Sequence, residues 1–151
     1  MDELINQLTI ILASGYQMYF RAHVSHWNVM GSNFPQYHSF MGDIYEDVFE
    51  SLDDIAENIR KVDGFIPMSF SQLLNADNTP EAMLDPQARD MDMLSYIQSA
   101  NDTMIENLRA GIGIADSAGE PAISNFLQDR LSAHQKIAWK LKSTISSTYQ
   151  G

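Results

Sequence analysis

Two histidines and two carboxylates hold the chemistry open to this chain. His26 and His38 flank a short break in a helical pattern, and Asp53 and Glu57 follow at the i, i+4 spacing that puts both acids on one helix face. Two imidazoles with a carboxylate pair make a ligand set for a first-row transition metal such as iron. Distance sets a condition on that reading. On one continuous helix the 15 residues from His38 to Asp53 span roughly 22 Å, at 1.5 Å per residue, so one chain cannot close all four groups on one ion. Either there are two weak half-sites, or a two-fold partner lays its antiparallel helix alongside and brings its Asp53 and Glu57 to this chain's histidines. A C2 interface produces the second arrangement naturally, since each of its contacts occurs twice.

Long helices must position these groups. Over residues 3 to about 28, Leu4, Leu8, Ile11 and Leu12 form an apolar stripe that Tyr16, Phe20 and His23 or Val24 continue at helical spacing. Gly31 breaks that helix, and Ser32 or Asn33 can cap the next, with Pro35 tolerated in its first turn. The second helix is expected over about 35–62, stopping at Asp63-Gly64, with Phe40, Ile44, Val48, Leu52, Ile55 and Ile59 inward and Asp43, Asp47, Glu50 and Asp54 mostly on another side. Its length far exceeds the average of about 11–12 residues, and such helices belong to bundles.

Residues 64–86 have no long period and contain Pro67, Pro80 and Pro86, with a short helical piece near 69–75 that Ser69 can cap. A crossover of that kind lets the third helix, about 89–117, return parallel to the second. Met93, Ile97, Met104, Leu108 and Ile112 face inward there, while Gly111 and Gly113 cost stability and permit close packing. Gly119 precedes a last helix over about 120–148, opened by Pro121 and running inward through Ile123, Phe126, Leu127, Leu131, Ile137 and Leu141. No strand-like alternation and no internal repeat appears. The pattern predicts an all-α single domain of four long helices over residues 1–151.

Composition bounds the function. With 44% hydrophobic and 19% charged residues the chain reads as soluble and globular, and its 151 residues suffice for one core. There is no cysteine, which excludes disulfides, thiolate catalysis and cysteine-ligated zinc or iron–sulfur sites. A formal net charge of −11 disfavours direct binding to DNA, RNA or an anionic membrane, whose phosphates reward clustered Lys and Arg. The start of the chain carries Asp2 and Glu3 in place of a basic leader, and no apolar run approaches the roughly 20 residues of a membrane span. A cytoplasmic location is expected.

The run His26-Trp27-Asn28, then Gly31, Asn33-Phe34 and His38, then Asp53, Ala56-Glu57 and Arg60, resembles the Dps-type miniferritins of the ferritin-like family, as does Ala133-His134-Gln135-Lys136-Ile137-Ala138-Trp139 near the end. The resemblance spans nearly the whole chain. It implies a ferritin-like four-helix bundle with a short helix in the long crossover between helices 2 and 3. It also implies two-fold dimers assembled into a hollow twelve-subunit shell, iron(II) oxidation at the dimer interface by peroxide or dioxygen, and storage of ferric mineral inside.

Residue by residue, the resemblance makes His26 and His38 the ligands of one protomer, Asp53 and Glu57 those of the other, and Trp27 the aromatic beside the site. Iron is the implied metal, with zinc or another divalent ion able to take its place. One ligand departs. The family places an acid one turn after the second histidine, and this chain has Gly42 there. The place can be filled by water, by a helix distortion that recruits Asp43, or by nothing. On a regular helix Asp43 points about 100° away and Glu46 lies roughly 12 Å along the axis from His38. The resemblance further suggests an acidic iron-entry pore near Glu120 and Asp129. Glu120 also suits a helix N-terminus with no ion present.

Each histidine taken alone reads as a packing or capping residue; only the four-residue set points to metal. His23 reads as interface packing, His134 as a structural member of the last helix, Trp27 and Trp139 as core or interface anchors, and the nine methionines as core filling. The competing functional reading is a DNA-protecting or purely structural cage with a metal site weakened by Gly42. Direct DNA binding is not expected, because neither the start of the chain nor its ending, STISSTYQG, carries a basic tail.

Overall fold

The computed structural model describes residues 1–146, and their ordered elements are helices alone. Four are long: α1 (Asp2–Asn28), α2 (Phe34–Lys61), α4 (Asp90–Ser117) and α5 (Pro121–Ile145); α3 (Phe70–Leu74) is a short turn within the crossover. Helix α5 runs to Ile145 with Ser146 as its C-cap, and the expected positions 147 and 148 lie outside the described residues.

Local chemistry accounts for the boundaries. Asp2 and Glu3 sit in the first turn of α1, and Arg60 and Lys61 in the last turn of α2, each complementing the helix dipole. At the end of α2 the left-handed residue is Asp63, with φ of 66°. Gly64 is needed for space instead: a Cβ there would lie 2.8 Å from Ile59 Cγ2 and 2.9 Å from Ile5 Cγ2. Ser69 caps α3, its hydroxyl accepting from the Gln72 amide as its position predicts.

Neighbouring long helices run antiparallel. Gly15 meets Leu52 and His26 meets His38 across α1–α2; Gln7 meets Asn107 and Arg21 meets Tyr96 across α1–α4; Asn101 meets His134 across α4–α5. Helix α4 therefore runs parallel to α2, as the long crossover requires. The core follows the 3.6-residue period, through Leu4, Leu8, Ile11, Met18 and Ala22 on α1, with Val29 just after it, and Ile44, Val48, Leu52, Ile55 and Ile59 on α2. Phe20, expected on the inner stripe, is 52% exposed, because that period passes through Met18 and Ala22 and leaves position 20 outside.

Polar groups pin the crossover. Buried Arg21 donates to the carbonyls of Pro80 (2.9 Å) and Tyr96 (3.0 Å) and lies over the Tyr96 ring, while Gln17 donates to Asp77. Asn78 and Asn107 exchange amide hydrogen bonds, and Ser14 bonds to both. Burial of an unpaired guanidinium is costly; here backbone carbonyls satisfy it, though burial still lowers the Arg21 pKa.

Candidate metal centre

Helix α1 delivers His26 in its last turn and α2 delivers His38 in its second, so the short 29–33 connection brings the rings together. The rings stack, with centroids 3.7 Å apart and planes 16° off parallel. Each donates from Nδ1 to the other's backbone carbonyl, His26 to His38 O at 2.6 Å and His38 to His26 O at 2.7 Å. A carbonyl only accepts, so each Nδ1 carries a proton, and in the neutral ring that leaves the lone pair on Nε2. This is how metal-ligating histidines are commonly oriented: one ring nitrogen is tied off and the other left free to ligate.

Gly42 is buried beneath this pair. A Cβ there would lie 3.2 Å from both Cε1 and Nδ1 of His26, so the imidazole would have to give by a few tenths of an ångström to admit a side chain. Helix α2 continues unbroken through the position. Asp43 is not recruited: it lines a cleft between α2 and α5 with Phe40, Asp47, Lys136 and Lys140.

The carboxylates gather further along α2. Oxygens of Asp53, Asp54 and Glu57 all lie within 4.8 Å of one another on the exposed face, the one such group of three or more metal-ligand side chains among the described residues. Sequence reasoning placed Asp54 away from the core side of α2 without joining it to the pair; the signal that it belongs here is its i, i+3 relation to Glu57. The structure thus brings His26 to His38, and Asp53 to Glu57, but does not bring the pairs together within one chain.

Aromatic rings surround the imidazoles. His23 stacks on Tyr45 (3.8 Å, 14°) and packs against the 58% exposed Trp27 (3.9 Å), and its Nδ1 shares a 2.8 Å hydrogen bond with the Tyr19 hydroxyl. Burial, and secondarily the neighbouring His26, lowers its pKa, which favours a neutral ring. Phe34 stacks on the outer side of His38.

The remaining candidates lie elsewhere. Glu120 is the N-cap residue of α5 and lines a cleft with Asp54, Asn58 and Lys61, whereas Asp129 is exposed further along α5. Trp139 is 64% exposed beside Tyr37 and Phe40. His134 is fully buried in a relay that sequence reasoning did not foresee. Its Nδ1 donates to Asn101 (2.8 Å), its Nε2 accepts from Arg130 (3.0 Å), and Arg130 donates through both terminal nitrogens to Asp47.

A family model for the ferritin-like domain matches residues 5–149. The chain belongs to the ferritin-like family, and within it to the Dps type. Among relatives of this ferritin-like chain, the DNA protection during starvation protein of Halobacterium salinarum is 29% identical over 136 residues, covering 86% of this chain and 71% of that one. The Dps of Thermosynechococcus elongatus superposes with a TM-score of 0.91 at 20% identity, covering 97% and 92% of the two chains. The Dps protein of Vibrio cholerae, described as a member of a broad superfamily of ferritin-like diiron-carboxylate proteins, gives 0.88 at 23% identity over 96% and 90%. At those identities the structural likenesses establish the four-helix fold. No helix among the described residues is long and apolar enough to cross a membrane.

Proposed function

We propose that this ferritin-like protein is a cytoplasmic iron-sequestering miniferritin that binds and oxidises iron(II) between the subunits of a two-fold dimer. Twelve subunits, by the family resemblance, build the shell that stores the ferric product. One observation carries the reading: the stacked His26–His38 pair, with both Nε2 atoms outside the Nδ1 hydrogen bonds, stands at the start of the unbroken 28-residue α2, and the compact carboxylate group stands further along that same helix. A partner helix laid antiparallel would bring His26 and His38 to the partner's Asp53 and Glu57 twice per dimer.

The donor set suits the substrate. Neutral imidazole holds the ferrous ion, and carboxylate oxygen favours the ferric product as charge builds. Each iron(II) gives one electron: two reduce one peroxide, breaking its O–O bond, and dioxygen takes two to reach peroxide and two more to break that bond; the oxygen ends in water or ferric oxyhydroxide, and the protons released by water as the oxyhydroxide forms pass to solvent. Zinc or another divalent ion fits the same donors and would compete.

The test is anaerobic iron(II) titration followed by stopped-flow addition of peroxide, on wild type and a His26→Ala/Asp53→Ala variant. Saturable binding with fast oxidation, both lost in the variant, is the expected result. Slow oxidation that is the same in both proteins would overturn the ferroxidase reading. It would leave the second one, a protective or structural cage, which Gly42 favours because it removes the acid expected beside the histidines.

A further inference from the structure

We propose that the cleft between α2 and the C-terminal half of α5 binds a mononucleotide, a planar aromatic ring carrying a phosphate. The site lies apart from the metal centre and does not depend on the iron reading.

Charge singles out the place. Residues 130–142 hold four of the chain's nine basic side chains and no acid, in a protein of net charge −11. Lys136 and Lys140, at i, i+4 on α5, line a cleft of about 170 Å³ that Asp43 and Asp47 line from α2. Arg130 neutralises Asp47 by donating to both of its carboxylate oxygens, so the two lysines outweigh Asp43. Among the described residues neither lysine is held in an ion pair. Two ammonium groups one helical turn apart can donate to separate oxygens of a single phosphate, which lysine binds as a compact point charge.

Aromatic surface adjoins the charge. Past Phe40 and Lys140, which line both parts, the cleft opens to about 360 Å³ between Tyr37, Phe40 and the 64% exposed Trp139. That volume falls in the range of roughly 300–1,000 Å³ typical of small-ligand sites. Exposed ring faces beside cations are the combination that holds nucleotide bases and their phosphates. An inorganic ion alone would have no use for the rings, and an uncharged aromatic would leave the lysines unmatched. The edge of a heteroaromatic ring also finds polar partners here. The Gln36 amide both donates and accepts, and the Thr144 hydroxyl, which donates to the Lys140 carbonyl, keeps its oxygen as an acceptor.

Titration of flavin mononucleotide with the assembled protein tests the site, since flavin fluorescence is quenched when the ring stacks on an aromatic side chain. Saturable binding near one flavin per chain is expected. Riboflavin, which lacks the phosphate, and inorganic phosphate as a competitor, which lacks the ring, should each bind about tenfold more weakly or worse. Trp139→Leu, Lys136→Gln and Lys140→Gln change exposed side chains and should each weaken binding severalfold, the two lysine changes together by about tenfold or more. Lys142→Gln removes the same charge outside the cleft and should leave binding as it is. Riboflavin bound as tightly as its phosphate would overturn the proposal, because the lysines would then play no part. A loss in Lys142→Gln equal to that in Lys136→Gln would also overturn it, in favour of diffuse charge. Absence of saturable binding would do so outright; Trp139 emission shielded from acrylamide in a Trp27→Phe background would then assign the cleft to a second copy of this chain.

Discussion

His134 shows how far a single residue can depart from its solution chemistry in this fold. Burial, reinforced by the Arg130 charge and only partly opposed by Asp47, holds its pKa down from 6.5 to about 3. The native ring stays neutral across that window while the unfolded chain takes up a proton. Stability from this residue is therefore complete above pH 6.5 and is lost as the pH falls toward 3. Each pH unit within the window costs on the order of 1.4 kcal/mol. A His134→Gln variant keeps an acceptor for Arg130 and a donor for Asn101 but has no proton to gain. Denaturant titrations from about pH 6 to about pH 4 should show a shallower loss of stability for the variant; equal slopes would mean that His134 is not the linked group. The wild type should remain the more stable near neutrality, since the ring fills a fully buried site.

Among the elements, α4 contains a matched pair of glycines whose substitution should have opposite signs. A Cβ at Gly111 would come within 2.9 Å of Ile11 and 3.1 Å of Leu127, so α4 packs against α1 and α5 at a distance only glycine permits. At Gly113 nothing lies within 4 Å. Gly113→Ala should stabilise by about 0.5–1 kcal/mol through helix propensity alone. Gly111→Ala should destabilise by roughly 1–2 kcal/mol, overpacking outweighing the same gain. Thermal or denaturant melts of the two variants check this, and a shift of the same sign in both would refute the packing assignment. The periodicity of α4 predicted one role for both glycines; only the positions of Ile11 and Leu127 separate them. The inner stripe of α1 was similarly legible as far as Leu12 but misplaced Phe20, since an aromatic near the apolar face has the same sequence signal as one left outside for another surface.

On the scale of the whole molecule, the separation of imidazoles from carboxylates makes a complementation experiment decisive. A chain carrying His26→Ala/His38→Ala and one carrying Asp53→Asn/Glu57→Gln should each assemble and each lack fast iron oxidation. Refolded together in equal amounts, with random pairing, half the dimers are mixed and each mixed dimer regains one of its two sites. About a quarter of wild-type activity should return. No recovery in a mixture shown to contain mixed dimers would exclude a site shared between chains.

The amino-acid order alone determined the four long helices and their breaks, the Ser69 cap of α3, the parallel return of α4, and the candidate set His26, His38, Asp53 and Glu57, because helical period, glycine and proline placement and i, i+4 spacing are local properties; the expected Ser32 or Asn33 cap of α2 makes no side-chain hydrogen bond. Tertiary structure alone decided that the two imidazoles stack with both Nδ1 atoms tied to backbone carbonyls, that the His26 ring lies close over Gly42, and that His134 is buried against Arg130. Each of these depends on how helices distant in sequence lie against one another or on which rotamer a packed side chain takes, and neither is encoded in spacing along one helix.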